Sequence, residues 1–139
     1  MSRWFPWKDT FTPEPKSGCS VFAVIPTAGR DVKRLLSCVY SIRNASQRSE
    51  VTVCVVVCPT GDGVTDRVRS LHGIDYVVPL DGSFNYCRSV NAGIQLCPSE
   101  CKHVLISNDD ILFTGISDVD KIVETMNAKR WAITGPWIL

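Results

Sequence analysis

Alternating β-prone and helix-patterned segments predict an α/β fold with a mostly parallel central sheet flanked by helices. Three observations carry that expectation. Residues 20–25 and 51–57 are near-continuous apolar runs of strand length, the pattern of strands buried on both faces. The residues between them repeat apolar side chains at helical spacing, and a strand, helix, strand unit is almost always a right-handed parallel crossover. The alternation then resumes, reaching a further apolar run that is broken by Asn108, Asp109 and Asp110.

Residues 1–18 set Trp4, Phe5, Trp7 and Phe11 among Pro6, Pro13 and Pro15. Proline resists helix and the aromatics offer apolar area, so this is an arm laid on the domain, a partner or a membrane surface. The domain itself spans 19–139. Residues 20–25 are its first strand, closed by Pro26, which removes a ladder donor. Residues 27–30 make a tight connection, and Asp31 is placed to cap a helix with Val32, Leu35, Leu36, Val39 and Tyr40 on its apolar face. That helix frays out over 44–48. Residues 51–57 are the second strand, the loop 59–63 follows, and Asp62 or Thr65 caps a short helix over 64–71.

A brief third strand covers 75–78. After the turn-rich residues 79–83, a helix starts at Asn85 or Tyr86 and groups Val90, Ile94 and Cys97 on one face. The fourth strand is 104–107. Ser117 or Asp118 then caps a last helix with Val119, Ile122, Val123 and Met126 buried, while Asp118, Asp120 and Glu124 are read as solvated. Residues 131–134 restart a strand before Gly135-Pro136.

The chain has 139 residues, 45% hydrophobic and 21% charged, which suits one domain with a real core. Fifteen basic residues against fourteen acidic leave a net charge of +1 and no basic stripe, so there is no electrostatic footprint for nucleic acid. No apolar stretch has signal-peptide or bilayer-spanning length, and a cytoplasmic location is expected. The seven cysteines are odd in number and sit mostly inside apolar segments, which favours buried, reduced thiols. Cys97, Cys101 and His103 could supply three zinc ligands, but no CxxC pair supports that set against core or loop thiols. Asn44-Ala45-Ser46 has the form of a glycosylation acceptor, which carries no weight without secretion.

The polar break in the fourth apolar run needs a reason. Val104, Leu105 and Ile106 suit a strand buried on both faces, and Ile111, Leu112 and Phe113 resume burial, so adjacent unpaired carboxylates between them would be costly. A solvated turn is one solution. The other is a ligand site, because ligands of parallel sheets bind outside the carboxyl ends of the strands. That edge gathers the loops 26–30, 58–63 and 108–110. A divalent cation held by one or two carboxylates, with water and phosphate oxygens completing its shell, is the common way to hold a diphosphate.

Residues Val21-Phe-Ala-Val-Ile-Pro-Thr27 with Arg30, then Phe84-Asn-Tyr-Cys-Arg-Ser-Val-Asn-Ala-Gly-Ile94, then Leu105-Ile-Ser-Asn-Asp-Asp-Ile111 resemble, in order and spacing, the family-2 glycosyltransferases. The likeness runs from about Val21 to Leu139 and covers the nucleotide-sugar half of such enzymes, with 133–139 similar to the family's next strand. It implies a Rossmann-like GT-A sandwich and inverting transfer of a sugar from a nucleoside-diphosphate sugar, helped by Mn2+ or Mg2+, to a saccharide, lipid or protein acceptor. On the same basis Pro26 and Thr27 border the base pocket of the nucleotide with Arg30 close by, Arg88 and Asn91 approach the donor, Asn108 faces the ribose and Asp110 is the metal ligand. Extended alternation turns Asp109 away from its neighbours, and both a structural hydrogen bond and direct contact remain open for it. Cys58 stands where the family usually has an acidic nucleoside contact, with Asp62 in the next loop as a candidate substitute. A nucleophilic role for Cys58 finds no histidine in the motifs to support it. The family's general base lies downstream of the matched region, so no catalytic base is assigned and it is expected beyond Leu139. Two alternatives stand beside this expectation. An inert nucleotide-sugar-binding or interaction module is supported by Cys58 and the missing base. A sugar-phosphate nucleotidyltransferase would want a more glycine-rich loop than residues 27–30.

Overall fold

The computed structural model describes residues 20–61 and 63–135. The N-terminal arm, Cys19, Asp62 and residues 136–139 lie outside the described residues. Eight elements follow in order: β1 (Val21–Thr27), α1 (Val32–Asn44), β2 (Val51–Val57), α2 (Val64–Arg69), β3 (Tyr76–Pro79), α3 (Tyr86–Ile94), β4 (His103–Ile106) and α4 (Asp118–Lys129). The four strands form one all-parallel sheet in the order β3-β2-β1-β4. The α/β sandwich expected from the sequence is the fold observed.

β1 and β2 are buried along their whole lengths because they occupy the middle of the sheet and have helices on both sides. Two-residue alternation divides their side chains between two cores. Val21, Ala23, Ile25, Val53, Val55 and Val57 pack with Leu35, Cys38, Val39 and Ile42 of α1, Val68 of α2 and Val119 of α4. Phe22, Val24, Cys54 and Val56 pack on the opposite face, with Tyr76 and Val78 of β3 and Ala92 of α3. Among the described residues, three helices therefore contribute to one core and α3 alone to the other. No helix among the described residues is long and apolar enough to cross a membrane.

Several local expectations change in the folded chain. Asp31 caps α1 as expected, accepting the Arg34 amide at 2.9 Å. The buried face of α1 is Leu35, Cys38, Val39 and Ile42, whereas Tyr40 is 46% exposed. At α2 the N-cap is Gly63, in the left-handed region, with no side-chain bond, so Thr65 is not its cap, and Asp62 lies outside the described residues. At α4 the Ser117 hydroxyl makes no capping bond, and the Asp118 carboxylate instead accepts the Gly115 amide at 2.8 Å.

Asp120 is not a solvated helix residue. Only 2% exposed, its carboxylate accepts the Ser49 hydroxyl at 2.6 Å and the Arg48 amide at 3.1 Å, fastening α4 to the loop before β2. Burial by itself raises the pKa of this carboxyl. Bonds from Ser49 and from the Arg48 and Gln47 backbone, with the Arg48 charge, outweigh it and hold the group below the usual carboxylate range.

Residues 131–135 form no strand, and Trp131 and Ile133 are exposed there. β4 likewise is not buried on both faces. Leu105 joins the α1 core, but Val104 and Ile106 are 42% and 46% exposed, because they line up with Phe22 and Val24 on the face where α3 packs mainly on β1 and β2.

Candidate nucleotide site

The strand order places the site before any side chain is considered. The chain runs outward from β1 to β2 to β3, then returns to lay β4 on the other side of β1. The strand order therefore reverses between β1 and β4, whose carboxyl ends lie side by side. Such switch points are where open α/β sheets bind ligands. A cavity of about 570 Å³ lies there, lined by Pro26, Thr27, Ala28, Arg30, Arg34, Phe84, Tyr86, Asn108, Asp109 and Asp110.

The register explains why these residues meet. Val24 pairs with Ile106, and the Ser107 amide continues the ladder by donating to the Val24 carbonyl at 3.1 Å. Three residues beyond the Val24–Ile106 pair on each segment, Thr27 Oγ1 donates to Asp109 Oδ2 at 2.7 Å and accepts the Gly29 amide at 3.0 Å. Gly29 turns the chain with φ +70°, and a Cβ there would lie 2.2 Å from Val64 Cγ1. Only glycine allows β1 to turn this tightly against α2.

The acidic loop is also pinned from below. Cys38 of α1 donates its thiol to the Asn108 carbonyl at 3.3 Å, and Ser41 Oγ accepts the Phe113 amide at 3.1 Å. Burial, with Asp109 and Asp110 nearby, pushes the Cys38 thiol up against the opposing effect of Ser107, so it stays protonated and able to donate. Cys54 in β2 is pushed up to about 12, chiefly by burial, and is an inert core thiol.

Three neighbouring polar residues thus acquire separate surroundings. Asp109 is partly buried, bonded to Thr27, with its Oδ1 3.8 Å from the Arg34 guanidinium. Asn108 and Asp110 are exposed, and Asp110 makes no hydrogen bond or ion pair among the described residues. No group of three or more histidine, cysteine, aspartate or glutamate residues able to hold a metal occurs among the described residues, the Cys97, Cys101 and His103 set included. The donor chemistry here is that of one free carboxylate beside an amide, which suits a cation whose remaining ligands are water and phosphate rather than a closed protein cage.

Of the residues singled out from the sequence, Pro26, Thr27, Arg30, Asn108, Asp109 and Asp110 line this cavity. Cys58, Arg88 and Asn91 do not. The Arg88 guanidinium is held 3.1 Å from Cys58 Sγ and donates to the carbonyls of Asp81 and Ser83, while Cys58 Sγ donates to the Ser83 carbonyl at 3.4 Å. This cluster ties the end of β2 to the loop before α3. Asn91 is exposed on α3, and Asp62 lies outside the described residues. Sequence reasoning passed over Ala28, Arg34, Phe84 and Tyr86. Arg34 was legible as the residue whose amide Asp31 caps, one turn into a helix that starts at the site, and the two aromatics flank the cap of α3. No protein-family model matches the chain, and no curated protein matches it significantly.

Proposed function

We propose that the chain binds the donor of a metal-dependent glycosyltransferase, a nucleoside-diphosphate sugar, for inverting transfer to a saccharide, lipid or protein acceptor. The observation that carries this reading is the cavity at the β1/β4 switch point, where two arginines, an amide and a free carboxylate share one wall system. Arg30 and Arg34 offer planar guanidinium groups suited to phosphate oxygens. Asn108 offers both a donor and an acceptor to a ribose hydroxyl. Asp110, with Asn108 beside it, would hold Mn2+ or Mg2+, which when bound offsets charge on a departing diphosphate. Asp109 serves by fixing Thr27 and the loop geometry, and it draws Arg34 toward the cavity. The buried, unbridged thiols of Cys38, Cys54 and Cys58 fit a reducing, cytoplasmic setting.

A second reading, a binding module without transferase activity, draws on one specific feature. Cys58 holds Arg88 in an internal cluster at the position where the resembled family places an acidic nucleoside contact. The two readings agree on binding and differ on turnover.

Calorimetric titration of nucleoside diphosphates with and without Mn2+ tests the site. Wild-type protein is expected to bind at least tenfold more tightly with the metal, and Asp110→Ala to bind with the same affinity in both conditions. Metal-independent wild-type binding, or a metal effect that survives in Asp110→Ala, removes Asp110 from the metal role.

A further inference from the structure

The cavity has an aromatic wall that its polar loops do not explain. Phe84 and Tyr86 are 46% and 43% exposed, yet both line the same space as Arg30, Arg34 and Asp110. Their placement follows from the residue between them. Asn85 is extended (φ −141°, ψ 113°), and its side chain turns inward to accept the Arg88 amide at 2.9 Å as the cap of α3. In extended backbone, the neighbours on either side of a residue point the opposite way together. The cap that starts α3 therefore also delivers two aromatic rings to the crevice.

We propose that Phe84 and Tyr86 form the stacking platform for the nucleobase of the ligand, with the phosphates toward Arg30 and Arg34. This rests on the nucleotide reading above and names the residues that hold its base. The cavity pairs an aromatic and apolar portion, completed by Pro26 and Ala28, with a cationic one. A ligand with one flat aromatic end and one anionic end matches both. Phosphate alone would leave the rings wet, and a sugar phosphate would present saturated C–H faces rather than a π-surface. Stacking tolerates every base because each has a π-face, so the platform contributes affinity with little base selectivity.

The test uses the full chain with Mn2+ and three probes, namely uridine diphosphate, guanosine diphosphate and inorganic pyrophosphate. Phe84→Ala and Tyr86→Ala are each expected to weaken both nucleotides by roughly tenfold and leave pyrophosphate unchanged. Tyr86→Phe, which keeps the ring and removes the hydroxyl, is expected to match wild type. Both rings are exposed, and an unchanged circular dichroism spectrum confirms that the variants fold. Unchanged nucleotide affinity in both alanine variants overturns the platform, as does an equal loss for pyrophosphate. Wild-type protein that binds pyrophosphate and the nucleotides equally overturns the platform alone, whereas wild-type protein that binds none of the three overturns the parent reading with it.

Discussion

Carboxylates in this chain divide by what the fold places around them, and Asp120 shows the division most sharply. Its carboxyl is buried between the start of α4 and the loop before β2, where Ser49 and the Arg48 amide satisfy it. Its folded pKa is lowered, so its stabilisation is fully present above the ordinary carboxylate range and is lost as pH falls through the lowered folded value. Asp120→Asn is expected to lose about 1.5–3 kcal/mol at pH 7, the usual worth of hydrogen bonds to a charged group, and to flatten the acid limb of the stability curve. Urea unfolding at pH 7 and across the acid range checks both; an unchanged acid limb in the variant rules out this role. The burial of Asp120 was not legible from periodicity, which reports only the helix's own faces. It comes from a loop that folds over the helix N-terminus from 72 positions away. Asp109 teaches the same lesson, because its partner Thr27 is 82 positions distant.

At the scale of elements, α3 is the single helix on its face of the sheet among the described residues, and its close approach depends on Gly93. A Cβ there would lie 2.4 Å from Val24 Cγ1 and 3.2 Å from Val56 Cγ2, both on buried central strands. Gly93→Ala adds helix propensity worth about 1 kcal/mol but forces α3 away from the sheet, and overpacking of this kind costs roughly 1–3 kcal/mol. The net expectation is a loss of stability, read as a lower denaturation midpoint with unchanged m-value. A variant more stable than wild type would mean that α3 is not seated as tightly as this contact indicates. On the proposed nucleotide reading, the shift should also weaken binding, because Phe84 and Tyr86 stand at the same helix's start.

Element type and order were legible because β1 and β2 are near-continuous apolar runs of strand length, while α1 and α4 repeat apolar residues with a period of 3.6. A cap that rests on local chemistry was legible too, as at Asp31. The caps of α2 and α4 were not, since a glycine in the left-handed region and a carboxylate bonding backward to Gly115 leave no distinctive pattern. Residues 131–134 have strand composition yet form no strand, because composition reports suitability for a sheet edge and not the pairing. At the site, the polar members were legible as breaks in apolar runs. Phe84 and Tyr86 were not, because an aromatic reads as core until its exposure is seen.

For the whole molecule, the asymmetric layering decides where the sheet is strong and where it is bare. Among the described residues, α1, α2 and α4 contribute to one core, and α3 packs mainly on β1 and β2 on the other face. β4 thus has a covered side, carrying Leu105, and an open side, carrying Val104 and Ile106. All three residues look alike in sequence, but their burial differs because β4 is the terminal strand of the described sheet and not a central one. Energetics should follow the layering and not the hydrophobicity of the residue replaced. The double variant Val104→Thr, Ile106→Thr keeps β-branched side chains on a half-exposed face and is expected to change stability by no more than about 1 kcal/mol. Phe22→Ala, one strand over and fully buried on the same face, is expected to lose about 3–5 kcal/mol through lost burial and the cavity left behind. Chemical denaturation of the two variants side by side compares them directly. A loss of about 3 kcal/mol or more in the threonine double variant would mean that this face is covered in solution, and the open side of β4 would have to be redrawn as part of the core.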